Sequence, residues 1–149
     1  WAYAYMKGWK NNDRIDFDFF DAHDLRPLTE RASEETVKRS LRERMSNAKQ
    51  VIVIVGEHTK HLYRFVRWEL EQAIKQDLPV IVVNLNNRRG HDADLCPPIL
   101  KDRCAIHVAF KMKIIKFALD GFVPWYLEPS REASGPRYYP DGTYAELGL

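Results

Sequence analysis

The 149-residue chain has few cysteines and little net charge. Its only two cysteines, Cys96 and Cys104, form no CxxC pair, so we expect a reducing, cytoplasmic environment. With 23 Lys and Arg against 21 Asp and Glu, the net charge of +2 lacks the basic surplus of a nucleic-acid binder. No apolar run approaches the roughly 18 residues of a membrane span, and the first residues lack a signal-peptide pattern. We therefore expect neither nucleic-acid nor membrane partners.

The glycine-rich and nucleophile motifs of common enzymes are also missing. GxGxxG, GxxxxGK[ST] and GxSxG do not occur. Dinucleotide-binding, P-loop and α/β-hydrolase interpretations therefore have no support. At 45% hydrophobic and 30% charged residues, the composition is that of a globular domain with one core.

What the sequence does contain is an alternation of strand and helix patterns. Two uninterrupted β-branched runs are typical of strands covered on both faces. The predicted strands cover residues 15–20, 51–56, 79–85 and 104–110, and predicted helices cover 34–48, 60–76 and 111–120. This alternation predicts an α/β sandwich with a mostly parallel sheet. We expect a domain over residues 1–120, and over 121–149 a Pro-rich, aromatic extension packed on it or on a partner.

Glu69 breaks the pattern of the helix predicted over residues 60–76. It falls within an apolar stripe at about 100° per residue. The stripe consists of Leu62, Phe65, Val66, Leu70, Ala73 and Ile74. A carboxylate there is costly unless it is paired or lines a cavity, where such groups serve acid, base or charge-stabilising chemistry. The alternative is a structural carboxylate satisfied by backbone amides or by Arg67. Glu71 points the opposite way and is expected to be a solvated surface charge.

Two clusters of metal-ligating residue types favour other interpretations. His23 lies between Asp21 and Asp24, an arrangement typical of hydrogen-bonded turns. Residues 91–96, His-Asp-Ala-Asp-Leu-Cys, favour a solvated loop over a zinc site, which usually has paired ligands at close spacing. The sequence therefore predicts no metal.

Several segments, in order, resemble the ThsB-type TIR-like domain of the Thoeris anti-phage defence system. They are FDFFDAHD at 17–24, LRERMSNAKQVIVIVG at 41–56, VRWELEQA at 66–73 followed by LPVIVVNLN, and DLCPPILKDRCAIHVAFKMKIIKFAL at 94–119. The resemblance covers nearly the whole chain. It implies a flavodoxin-like, three-layer TIR sandwich with strand order 2-1-3-4-5.

The resemblance also implies a function. After phage infection, such a domain consumes NAD as a substrate, without a further cofactor, and makes a cyclic ADP-ribose-type messenger that activates a separate effector protein. TIR enzymes carry a catalytic Glu with an aromatic residue four positions earlier. Glu69 and Phe65 occupy these places, although many TIR enzymes have Trp in place of Phe. We expect a phage-derived trigger and a nearly inactive isolated domain, and TIR domains often work as homo-oligomers.

The other predicted substrate contacts lie where strands end. In open α/β sheets, ligands bind outside the carboxyl ends of the strands. Asp21 and His23 follow the first predicted strand and are expected to contact ribose or pyrophosphate. Gly56 and Thr59 follow the next strand and are expected to supply backbone amides near a helix start.

The alternative function is a non-catalytic TIR or receiver-like module that acts through protein contacts. Asp21, Thr59 and Lys111 each follow a predicted strand, as receiver residues do. A receiver also needs an acceptor Asp after its third strand, where this chain has Gly56 and Glu57. The missing Asp counts against a receiver, whereas a TIR scaffold that acts only through protein contacts stays an alternative, which Glu69→Gln would distinguish from an enzyme.

The chain begins at Trp1 within a helical pattern that ends at Asn11. In the strand order 2-1-3-4-5, the first strand is central and lies between the strands predicted at 15–20 and 51–56. We therefore expect a short apolar strand to precede Trp1 in the natural protein.

Overall fold

A computed structural model describes residues 34–46, 48–57, 63–132 and 134–149. Its sheet contains β1 (Val51–Val55), β2 (Val80–Asn84), β3 (Ile106–Ala109) and β4 (Arg137–Tyr138), in that order. Its helices are α1 (Glu34–Met45), α2 (Tyr63–Lys75), α3 (Met112–Tyr126) and α4 (Asp141–Glu146), with a 3-10 turn at Pro98–Leu100. All strand pairs are parallel. The predicted α/β fold class is therefore confirmed.

β1 and β2 are the two predicted β-branched runs, and β3 lies within the strand predicted over residues 104–110. Val51 of β1 pairs with Val80 of β2, and Ile81 pairs with Ile106 of β3. Every residue of β2 is buried, as expected for a strand with neighbours on both edges and helices on both faces. The strand predicted at 15–20 lies outside the described residues, so the first part of the order 2-1-3-4-5 stays a prediction.

Two apolar clusters cover the two faces of the sheet. On one face, Ile81 and Val108 pack with Ile115 and Phe122 of α3 and with Tyr144 of α4. The opposite face carries Val53 and Val82, which pack with Leu70 and Ala73 of α2 and with Leu100 of the 3-10 turn. Successive strand residues point to opposite faces, so each β-branched run supplies both clusters. The burial of α2 on this sheet fixes which of its residues face inward.

α2 is followed, two residues after its end at Lys75, by a left-handed residue, Asp77, with φ of 51°. The Leu78 N–H donates to the Ala73 carbonyl at 2.9 Å and closes the last turn. The Asp77 carboxylate accepts hydrogen bonds from the Tyr126 hydroxyl at 2.8 Å and from Arg131 at 2.8 and 3.0 Å. These bonds connect the end of α2 to the end of α3.

α3 is longer than the sequence predicts. The sequence predicts a helix over 111–120, whereas the structure has one from Met112 to Tyr126. Gly121 is exposed, and Pro124 lies in the last turn, where it removes the N–H that would otherwise bond to the Asp120 carbonyl. Phe122 and Tyr126 are buried on the sheet, and their burial favours continuing the helix.

Residues after α3 form two elements that the sequence did not predict. β4 pairs with β3 through Ile106 and His107, and the Arg137 N–H donates to the Ala105 carbonyl at 2.8 Å. α4 buries Tyr144 to 1% exposure in the same cluster as α3. None of the helices in the described part of the chain has the length and apolarity needed to cross a bilayer.

Candidate functional site

The structure describes part of the predicted site. Glu69 and Gly56 are described in full, and Phe65 lies within the described backbone of α2. Asp21, His23 and Thr59 lie outside the described residues. The expected contacts of Asp21 and His23 with ribose or pyrophosphate, and the expected backbone amide of Thr59, therefore stay predictions.

Glu69 lies beside two buried residues of α2. Its neighbour Leu70 is 1% exposed, and Ala73, one turn later, is fully buried. The Glu69 side chain is half-buried. Arg67 and Glu71 form an exposed ion pair at 3.1 Å. Glu71 is therefore a surface charge, as predicted.

Burial raises the pKa of Glu69 from its usual 4.5 to about 7. Within the described residues, its carboxylate has neither a hydrogen bond nor an ion-pair partner. Arg67, the partner considered in the structural alternative, is held by Glu71 instead. A carboxyl group with a pKa near 7 changes charge close to neutral pH, so it can take up a proton or stabilise a positive charge.

Phe65 occupies the position one turn before Glu69 in α2. Helix positions four residues apart share one face. The predicted pairing of an aromatic residue with the carboxylate is therefore compatible with the helix that the structure contains.

Gly56 is buried directly after β1. A Cβ atom at this position would lie 2.8 Å from the Leu85 Cδ1 atom. The Leu85 N–H donates to the Val55 carbonyl at 2.9 Å, which brings the end of β2 beside the end of β1. The close approach of Leu85 gives this glycine a packing reason, and its predicted contact with a ligand stays a prediction.

Asn84 ends β2 and is 1% exposed. Its Nδ2 donates to the carbonyls of Arg88 and Gly90, both at 2.9 Å. These bonds fold the following loop back over the carboxyl end of the strand. The sequence prediction includes Asn84 in the strand over residues 79–85 and assigns it no role. The signal was a single amide at the end of a buried β-branched run.

The prediction of a solvated loop at residues 91–96 is wrong for two of its polar residues. Asp92 is 3% exposed and Cys96 is 8% exposed, although Asp94 is exposed as expected. Asp92 can be buried because its carboxylate accepts hydrogen bonds from the Asn86 amide and from the N–H groups of Leu95 and Asp94. These bonds hold the pKa of Asp92 below its usual range.

The same loop meets β3 at His107. The potential ligand atoms of His91, Cys96 and His107 all lie within 4.8 Å of one another. Sequence reasoning missed His107 because a single histidine in an apolar strand has no informative spacing. Only the pairing of β2 with β3 brings the loop after β2 to it.

A family comparison covers the part of the chain that contains the predicted site. The model for Thoeris protein ThsB, TIR-like domain, matches residues 1–90, which is more than half of the 149 residues. The matched segment includes β1, α2 and β2. It also includes all six predicted site residues.

Proposed function

Because this chain belongs to the Thoeris ThsB TIR-like family, a membership that supports a role in anti-phage defence, we propose that it is an NAD-consuming enzyme. During infection it converts NAD into a cyclic ADP-ribose-type signal that activates a separate effector protein. The observation that carries the proposal is the placement of Glu69 among the buried residues of α2, without a compensating cation among the described residues. A purely structural carboxylate would be expected to have such a partner.

The proposed reaction exchanges one bond for another at the nicotinamide ribose. The bond from C1′ to the nicotinamide nitrogen breaks, and nicotinamide leaves with the electron pair. A nucleophilic ribose or adenine group of the same molecule then bonds to C1′, and one proton is released. The products are nicotinamide, the cyclic nucleotide and a proton, so atoms and charge balance.

Glu69 would act on the positive charge that develops at C1′ in this reaction. An ionised carboxylate stabilises an oxocarbenium-like centre, as carboxylates do in glycoside hydrolysis. It would also orient the ribose hydroxyls by accepting hydrogen bonds. Its pKa of about 7 means that a substantial ionised fraction is present at neutral pH.

The remaining predicted site residues would bind the substrate. Phe65 would form an aromatic wall beside the nicotinamide or adenine ring and help to exclude water, which cyclisation requires. Asp21 and His23 would contact ribose or pyrophosphate. Gly56 and Thr59 would supply backbone amides.

The test compares two neutral isosteres on the same helix. Glu69→Gln removes the proposed catalytic charge, whereas Glu71→Gln removes an exposed charge two residues away. Mass spectrometry of small molecules from infected cells should show a loss of the cyclic product of roughly 100-fold or more for Glu69→Gln. Glu71→Gln should match wild type in product and in defence.

Two outcomes would overturn the proposal. Wild-type product and phage defence in Glu69→Gln would exclude a catalytic role for this residue. Defence without any NAD-derived product in the wild type would favour the non-catalytic module, which acts through protein contacts.

Phe65 is tested separately. Phe65→Ala should raise KM for NAD and lower kcat, whereas Phe65→Trp should retain activity because it preserves the aromatic face. Equal activity in the two variants would exclude an aromatic wall at this position.

A further inference from the structure

We propose that His91, Cys96 and His107 form a binding site for one divalent transition-metal ion of the zinc class. The proposal is independent of NAD chemistry, because it rests on the contact between the loop after β2 and strand β3. His and Cys side chains are the ligands that zinc prefers in proteins.

The three side chains are close enough to converge on one ion. Their potential ligand atoms lie within 4.8 Å of one another, and the rings of His91 and His107 meet edge to face with centroids 4.9 Å apart. In a tetrahedral zinc site, bonds of about 2.0–2.3 Å place ligand atoms about 3.5 Å apart. Closing on an ion therefore requires movements of about 1 Å. His91 is only half-buried and lies in a loop, so it has room to make them.

Unpaired ring nitrogens provide an independent observation. His107 is fully buried, and neither of its ring nitrogens has a hydrogen-bond partner among the described residues. The same holds for the buried Nε2 atom of His91. A buried polar atom without a partner costs about 1–3 kcal/mol. Ring packing leaves these nitrogens without partners, whereas bonds to a metal would satisfy one nitrogen of each ring.

Cys96 is positioned by the turn that precedes it. Its N–H donates to the Asp92 carbonyl at 2.9 Å, and its Sγ donates a long hydrogen bond of 3.6 Å to the Pro97 carbonyl. The Asp92 carboxylate is occupied by Asn86 and by backbone N–H groups, so it holds the loop and is not a fourth ligand. Metal binding would replace the thiol proton by a metal–sulfur bond and release that proton to solvent.

Water can supply the fourth ligand. His91 lines a cavity of about 390 Å³ together with Tyr139 and Asp141. Three protein ligands and one water form a common zinc coordination set. A bound ion would fasten the loop after β2 to β3, and we therefore expect it to stabilise the fold.

The experiment uses the chain's two cysteines as a matched pair. Zinc content of the purified chain, with titration of zinc chloride after chelator treatment, is measured for wild type, Cys96→Ser, His91→Ala and Cys104→Ser. Cys104 is half-buried and is not part of the cluster. Wild type and Cys104→Ser should bind one ion per chain, and Cys96→Ser and His91→Ala should bind it at least tenfold more weakly.

Cobalt substitution identifies the sulfur ligand, and the His91→Ala variant guards against loss of folding in Cys96→Ser. The cobalt-loaded wild type should show a thiolate-to-cobalt charge-transfer band, which is absent from Cys96→Ser and present in Cys104→Ser. His91→Ala replaces a half-buried loop residue, so it keeps the test valid if Cys96→Ser does not fold. No zinc binding by the folded wild type would overturn the site, as would unchanged binding in both Cys96→Ser and His91→Ala.

Discussion

The backbone N–H of Ala109, at the end of β3, donates a hydrogen bond of 3.1 Å to the phenolic oxygen of Tyr144, 35 residues later in α4. Tyr144 is 1% exposed. We predict that Tyr144→Phe lowers the free energy of unfolding by about 1–3 kcal/mol, because the Ala109 N–H loses its acceptor. Urea unfolding measures this loss. Tyr138→Phe, at a side chain 65% exposed, should leave stability unchanged; equal losses in both variants would contradict the prediction.

Glu69 should make stability fall as pH rises. Its pKa is about 7 in the folded protein and 4.5 when solvated, so folding favours the protonated carboxyl group. Stability from this group is complete below pH 4.5 and is lost as pH rises through 7. The loss amounts to something on the order of 3 kcal/mol. The two pKa values of Glu69 set the range of the test, which is pH 5 to 8. Unfolding measurements over this range should show that Glu69→Gln becomes more stable relative to wild type as pH rises.

The control for this profile is Glu71→Gln, whose pH dependence should match that of wild type. The ion pair of Glu71 with Arg67 is exposed and contributes little. A constant difference between Glu69→Gln and wild type across the pH range would show that Glu69 has an ordinary pKa.

Replacing Asn84 by a residue that lacks its amide donors or carries a charge should destabilise the fold. In Asn84→Asp, the carboxylate cannot donate to the Arg88 and Gly90 carbonyls and is buried against them, so we expect a loss of about 3–5 kcal/mol. The matched control is Asn87→Gly, an exposed residue with φ of 62° that glycine adopts without strain. Thermal unfolding should show a lower Tm for Asn84→Asp and an unchanged or higher Tm for Asn87→Gly. Similar Tm values for the two variants would exclude the proposed role of the Asn84 bonds.

Gly56→Ala separates packing from ligand contact. The new Cβ would lie 2.8 Å from the tip of the flexible Leu85 side chain, which can move, so we expect a stability loss of about 1 kcal/mol. Leu85→Ala should relieve most of this clash, measured as a coupling in a double-mutant cycle. If the double variant recovers its packing but not NAD turnover in infected cells, the Gly56 backbone lies close to the substrate. Recovery of both would leave only the packing role.

The central sheet was predictable because its signal is local. The runs at 51–55 and 80–84 are rich in β-branched residues and almost continuously apolar, which is typical of strands covered on both faces. The partial burial of Glu69 was predictable for the same reason, since one carboxylate in an apolar helical stripe is visible in the sequence, whereas its catalytic role stays a prediction. The end of α3 was not, because the burial of Phe122 and Tyr126 outweighs the helix-breaking tendencies of Gly121 and Pro124.

The cluster at His107 depends on contacts that no sequence spacing records. His91 and Cys96 lie in a loop after β2, and His107 lies in β3, so their proximity follows from strand pairing. The burial of Asp92 depends on hydrogen bonds with Asn86 and with its own turn, which compensate a charge that sequence reasoning assigns to solvent.

β4 has a consequence for self-association. An unpaired strand at the border of a sheet offers its main-chain groups as a template on which another chain can add a strand. In this protein, Arg137 and Tyr138 occupy that position along β3, and the Tyr144 hydroxyl accepts the N–H at its end. Strand addition directly onto Ile106 and His107 of β3 is therefore blocked, and on this side of the described sheet an added strand would meet the exposed, two-residue β4 instead.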